Sequence, residues 1–93
     1  VILNKKAKLI LFCEDESVIR TTTKRMLEAC GFEVITAANG HEALARYEER
    51  YAEIDIVILD NLLPGLAGYE VYKMMKKINP KIKAIMCSGY SNG

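Results

Sequence analysis

Three carboxylates and one hydroxyl stand out, because each follows an apolar run of the kind that forms a strand. Glu14 and Asp15 come after Leu9-Ile10-Leu11-Phe12-Cys13, Asp60 ends Ile56-Val57-Ile58-Leu59, and Ser88 follows Ile85-Met86-Cys87. A carboxylate nucleophile can attack phosphorus and hold the phosphoryl group as an acyl phosphate. Close carboxylates repel one another, and one tends to take up a proton unless a cation intervenes. Carboxylate oxygens are what Mg²⁺ prefers, and Mg²⁺ among them would neutralise phosphoryl oxygens during in-line transfer. The Ser88 hydroxyl could donate to such an oxygen. Each residue alone has a plainer reading: Glu14-Asp15 as negative charge at a helix start, Asp60 as a loop-entry carboxylate, Ser88 as a turn residue. The argument rests on their joint placement at strand ends.

That placement depends on the elements between them. Lys8–Cys13 reads as a strand covered on both faces. Ser17 is a potential helix cap, and Val18, Ile19, Met26, Leu27 and Cys30 form one helical stripe up to Gly31, which suits a helix C-terminus. Thr21-Thr22-Thr23 weakens helix propensity, so packing of that stripe must carry the helix. Phe32–Ala37 reads as the second strand, Asn39-Gly40 as punctuation, and His41–Tyr51 as a helix burying Ala43, Leu44 and Tyr47. Asp55–Leu59 is the third strand, ending on Asp60; Asn61–Ala67 is a loop. Gly68–Ile78 is the third helix, with Tyr69, Val71, Tyr72 and Met75 mostly inward, stopped by Asn79-Pro80. Lys81–Cys87 is the fourth strand. The order βαβαβαβ predicts one α/β domain with a parallel sheet and right-handed crossovers. In such sheets ligands bind outside the carboxyl ends of the strands, where the strand order reverses. If the first and third strands are neighbours, the three carboxylates converge in that crevice.

Composition narrows the function classes. The 93 residues are 51% hydrophobic, which suits a packed core. Thirteen basic and twelve acidic residues leave a net charge of +1, which gives no argument for nucleic acid or a membrane surface. The apolar runs are too short to span a bilayer, and Val1-Ile2-Leu3 precedes Lys5-Lys6 in the wrong order for a signal peptide. Cys13, Cys30 and Cys87 are odd in number, without CxxC spacing and set among apolar residues. They read as reduced, buried small hydrophobes in a cytoplasmic setting. The lone His41 reads as an exposed surface residue, and Tyr47, Tyr51, Tyr69 and Tyr72 read as packing.

Four strings in order, Leu9–Glu16, Ala37–Leu44, Asp60–Gly68 and Met86–Tyr90, carry a resemblance to the receiver domains of two-component response regulators and hybrid sensor histidine kinases. The resemblance covers essentially the whole chain. It implies a flavodoxin-like doubly wound parallel sheet with strand order 2-1-3-4. It implies that Asp60 is the phospho-acceptor, taking phosphate from a histidine kinase or a histidine phosphotransfer domain. Asp15 resembles the direct Mg²⁺ ligand and Glu14 its companion acting through water. The Leu62 backbone carbonyl falls where the family supplies a further ligand, and Ser88 resembles the hydroxyl residue that turns toward the phosphate. Leu63 stands where Met is usual, and Glu-Asp replaces Asp-Asp; neither removes the chemistry.

The same resemblance predicts a helix, a fifth strand, a lysine and a fifth helix after residue 93, so a C-terminally truncated receiver is expected. The missing initiator Met also suggests a fragment. Lys73, Lys76, Lys77, Lys81 and Lys83 are placed wrongly to replace that lysine and read as solvated. The fourth strand would then be a bare apolar edge, open to pairing with a second chain as a dimer. Two other functions compete. A phosphatase of the haloacid dehalogenase type wants an Asp two residues after its nucleophile, where this chain has Leu62, and places that nucleophile after its first strand. A receiver-like interaction module working without phosphorylation would not need the acidic pair, Asp60 and Ser88. A phospho-accepting switch that acts on no separate substrate fits better. Ser88-Gly89-Tyr90-Ser91 looks more like receivers fused to sensor kinases.

Overall fold

Leu9–Cys13 is apolar along its whole length, and a strand can bury such a run only when both its faces are covered. In the computed structural model, which describes residues 7–60 and 66–87, β1 (Leu9–Cys13) is buried at every position. It is followed by α1 (Ser17–Ala29), β2 (Glu33–Ala37), α2 (Gly40–Arg50), β3 (Ile56–Asp60), α3 (Gly68–Ile78) and β4 (Ala84–Cys87). The strands form one parallel sheet in the order β2-β1-β3-β4. The 2-1-3-4 expectation therefore holds, and β1 and β3 are neighbours. The order reverses between them, at the position where a crevice opens above the carboxyl ends.

Successive strand residues face opposite sides of the sheet. Leu9, Leu11 and Cys13 join Val57 and Leu59 of β3 in a core with Ala43 and Tyr47 of α2 and Val71 and Met75 of α3. Ile10 and Phe12 are buried on the other face, on which α1 lies against β1 and β2. Asn39 caps α2, its side-chain oxygen accepting from the Glu42 N–H at 2.8 Å, while the Glu42 carboxylate accepts from the Ala38 N–H at 2.7 Å. That reciprocal pair fixes the corner between β2 and α2. Gly40 lets the corner sit tightly: a Cβ there would lie 2.7 Å from Val71 Cγ2 and 3.0 Å from the Leu66 carbonyl oxygen. Gly31 closes α1 with φ 101°, a conformation that favours glycine.

Several local expectations are corrected. No residue of α1 is buried; Val18 is 74% and Met26 61% exposed. The stripe exists, but among the described residues no second helix lies beside α1 to cover it. Ser17 is not the cap: Glu16 holds the N-cap position without a side-chain cap bond. Tyr69 and Tyr51 are exposed, whereas Tyr47 is buried and Tyr72 half-buried. Cys13 is buried, but Cys30 and Cys87 are exposed, because they lie at the ends of α1 and of β4, the outermost strand among the described residues. β4 begins at Ala84 rather than Lys81, since Asn79 holds a turn by accepting from Lys81 N–H on its side chain and Ile82 N–H on its carbonyl. His41 and the five lysines from Lys73 to Lys83 are exposed, as expected.

Candidate functional site

The β1 ladder runs one residue beyond the strand. The Glu14 N–H donates to the Ala37 carbonyl at the end of β2 (3.0 Å), and Cys13 Sγ donates to the Asn39 carbonyl (3.3 Å). Both bonds tie the end of β1 to the capped β2–α2 corner. Cys13 stands opposite Leu59 in the β1–β3 register, so the next residues, Glu14 and Asp60, lie side by side at the carboxyl end of the sheet. Glu14 is only 9% exposed, and its Oε2 accepts from the Glu16 N–H at 3.1 Å. Asp15 is exposed at the rim and Asp60 is half-buried.

One carboxylate oxygen from each of Glu14, Asp15 and Asp60 lies within 4.8 Å of the others. Among the described residues this is the only such group of three or more metal-ligating side chains. Ligands around an octahedral Mg²⁺ at about 2.0–2.1 Å stand no more than about 4.2 Å apart, so a small closure of the triad suits that ion. An all-oxygen donor set of three acids fits Mg²⁺ and gives little to a soft metal.

The electrostatics agree with the geometry. The Glu14 carboxyl is pushed up from its ordinary value, first by burial and then by the charges of Asp60 and Asp15, with the Glu16 N–H opposing. The Cys13 thiol is pushed up to about 12, chiefly by burial, then by Glu14, Glu42, Asp60 and Asp15. A thiol so placed stays protonated and is no nucleophile. The crevice is a concentrated negative field that a divalent cation would relieve.

The three acids expected at the site are thus brought together. Leu62 and Ser88 lie outside the described residues. One residue was missed. Arg20, on the first turn of α1, donates from Nη1 to the carbonyl oxygens of Glu14 (2.9 Å) and Asp15 (3.3 Å). Nothing in the sequence marks such a role, because every residue type carries a backbone carbonyl.

The family model for the response regulator receiver domain matches residues 10–93. The chain belongs to the response regulator receiver domains. The receiver is 39% identical over 82 residues to the sensor kinase CckA of Brucella abortus, covering 88% of this chain and 9% of that protein. It is 35% identical over 82 residues to the chemotaxis protein CheY of Thermotoga maritima, covering 87% of this chain and 67% of that one. Among solved structures, the response regulator TrrA of Thermotoga maritima, in complex with Mg²⁺ and BeF, superposes with a TM-score of 0.83 at 39% identity, covering 90% of this chain and 71% of that one. The receiver spans 9% of the length of CckA and 29% of that of a transcriptional regulator of Porphyra purpurea that it also matches. Among the described residues no helix is long and apolar enough to cross a membrane.

Proposed function

We propose that this receiver accepts a phosphoryl group on Asp60, with Mg²⁺ held by Asp15 and Asp60 directly and by Glu14 through water. The observation that carries this reading is the convergence of three carboxylates within 4.8 Å at the point where the strand order reverses. When bound, Mg²⁺ supplies positive charge to the phosphoryl oxygens. The Asp60 carboxylate attacks phosphorus in line with the bond to a donor histidine. An O–P bond forms as the N–P bond breaks, and the electron pair leaves with the imidazole. The donor is a histidine kinase or a histidine phosphotransfer domain, and the setting is cytoplasmic. The Leu62 carbonyl completes the ligand set, and the Ser88 hydroxyl turns to the phosphate and relays its presence. The apolar edge of β4, with Ile85 52% exposed, is a candidate dimer contact.

The test is incubation with Mg²⁺ and acetyl phosphate, followed by intact mass. A phosphate-sized increase that survives Glu14→Ala and vanishes in Asp60→Asn supports the reading. No increase in the full-length domain, which carries the lysine expected after residue 93, with Mg²⁺ binding intact, would overturn it in favour of an interaction module that works without phosphorylation.

A further inference from the structure

The segment that carries two of the three acids is short and leaves the sheet before α1 begins. Within it, the Glu14 N–H is held by Ala37, the Glu16 N–H by the Glu14 carboxylate, and the Arg20 N–H by the Glu16 carbonyl at 2.9 Å. These bonds leave the carbonyls of Glu14 and Asp15 to be met. Both point to one atom, Nη1 of Arg20, at 2.9 and 3.3 Å. That nitrogen carries two hydrogens, so it can serve two acceptors at once. A hydrogen bond from a charged donor is stronger than one between neutral groups.

We infer that Arg20 is a positioning residue for the metal ligands. By fixing the peptide planes on either side of Asp15, it sets the direction in which the Glu14 and Asp15 side chains leave the backbone, and so their convergence on Asp60. This inference rests on the reading of the carboxylate triad as a Mg²⁺ site. A lysine could not replace it fully, because an ammonium group is a point donor on a flexible stem.

Electrostatics alone predicts the opposite outcome, which makes the inference testable. A guanidinium near a cation site repels the cation, so if Arg20 only contributed charge, removing it would tighten Mg²⁺ binding. A positioning role predicts weaker binding. Outer partners that orient metal ligands typically contribute about 10–100-fold in affinity. The experiment is a Mg²⁺ titration followed by backbone amide shifts, on wild type, Arg20→Ala and Arg20→Lys, with the melting temperature of each measured in EDTA.

The expected result for Arg20→Ala is Mg²⁺ binding weakened roughly tenfold, with shifted Glu14–Glu16 amides in the metal-free protein. Arg20→Lys should recover part of the affinity. Affinity equal to or tighter than wild type in folded Arg20→Ala overturns the inference. So does a variant that loses melting temperature but not affinity. Should Arg20→Ala fail to fold, Arg20→Lys decides: weakened binding supports positioning, and unchanged binding overturns it. Asp15→Asn and Asp60→Asn separate the two levels. If they bind Mg²⁺ as wild type does, the triad is not the ion's site; if they lose it while Arg20→Ala does not, only the role of Arg20 fails.

Discussion

Cys87 stands beside Asp60 across the parallel β3–β4 ladder, and the two side chains share one electrostatic environment. Cys87 is exposed as a residue, but partial desolvation of its thiol pushes it up first, and then the charges of Asp60 and Glu14 do so. Only the thiolate reacts with alkylating reagents. Neutralising the acids should therefore speed the reaction. Mg²⁺ is expected to accelerate maleimide labelling of Cys87 at pH 8, read by peptide mass. Asp60→Asn should label faster without metal and respond less to Mg²⁺. Cys30, exposed at the far end of α1, serves as the internal control and should not respond.

The metal-free protein should lose stability as pH rises. The carboxyl of Glu14 is raised in the folded state above its ordinary 4.5. Below that value Glu14 keeps its proton in both states and adds no repulsion of its own. Above it the unfolded chain releases its proton first, so unfolding is favoured increasingly until pH passes the raised folded value. Glu14→Gln should flatten this dependence in EDTA. Asp60→Asn removes one of three like charges, each close pair of which costs about 1 kcal/mol even at solvent-like dielectric. It removes two such pairs, about 2 kcal/mol in all, and should raise the melting temperature in EDTA by about 8 °C or more, and Mg²⁺ should erase the difference.

Gly40→Ala should destabilise the fold by about 1–3 kcal/mol, because the new methyl group enters a filled space. Its nearest neighbour would be Val71 Cγ2 at 2.7 Å, on a fully buried residue. Val71→Ala opens that space. The double variant is therefore expected to be more stable than the sum of the two single losses predicts, as coupled neighbours are. Urea denaturation of the three variants, with an unchanged slope, checks this.

Tyr47→Phe should cost about 1 kcal/mol in the same measurement. The ring is buried, and its hydroxyl accepts from the Asn79 side-chain amide at 3.0 Å, joining α2 to the end of α3. Asn79→Ala should cost at least as much, since it also loses the turn bond to the Lys81 N–H.

The centre of the sheet was readable because Leu9–Cys13 lacks the alternation that a half-exposed strand needs. The clustering of the three acids was readable because Glu14-Asp15 and Asp60 each follow such a run. Periodicity reports which face of an element is apolar, but not whether anything covers it. Hence the α1 stripe was recognised while its exposure at Val18 and Met26 was not. Cys30 and Cys87 misled for the same reason: apolar neighbours in sequence did not become neighbours in space. Arg20 left no trace in the pattern because its partners are main-chain oxygens.

The pairing of β1 with β3 has a consequence for how the chain acquires its site. Leu9 and Asp55, joined by two hydrogen bonds, are 46 residues apart, and β2 and two helices lie between their strands. Contacts of such separation form late and set the folding rate. During synthesis Glu14 and Asp15 emerge long before Asp60, and until β3 docks they are two isolated surface acids. A divalent ion that draws on acids from both ends of that pairing would therefore favour states in which β1 and β3 are joined over the intermediates that precede them. Binding energy so placed would act on the native side of the folding equilibrium.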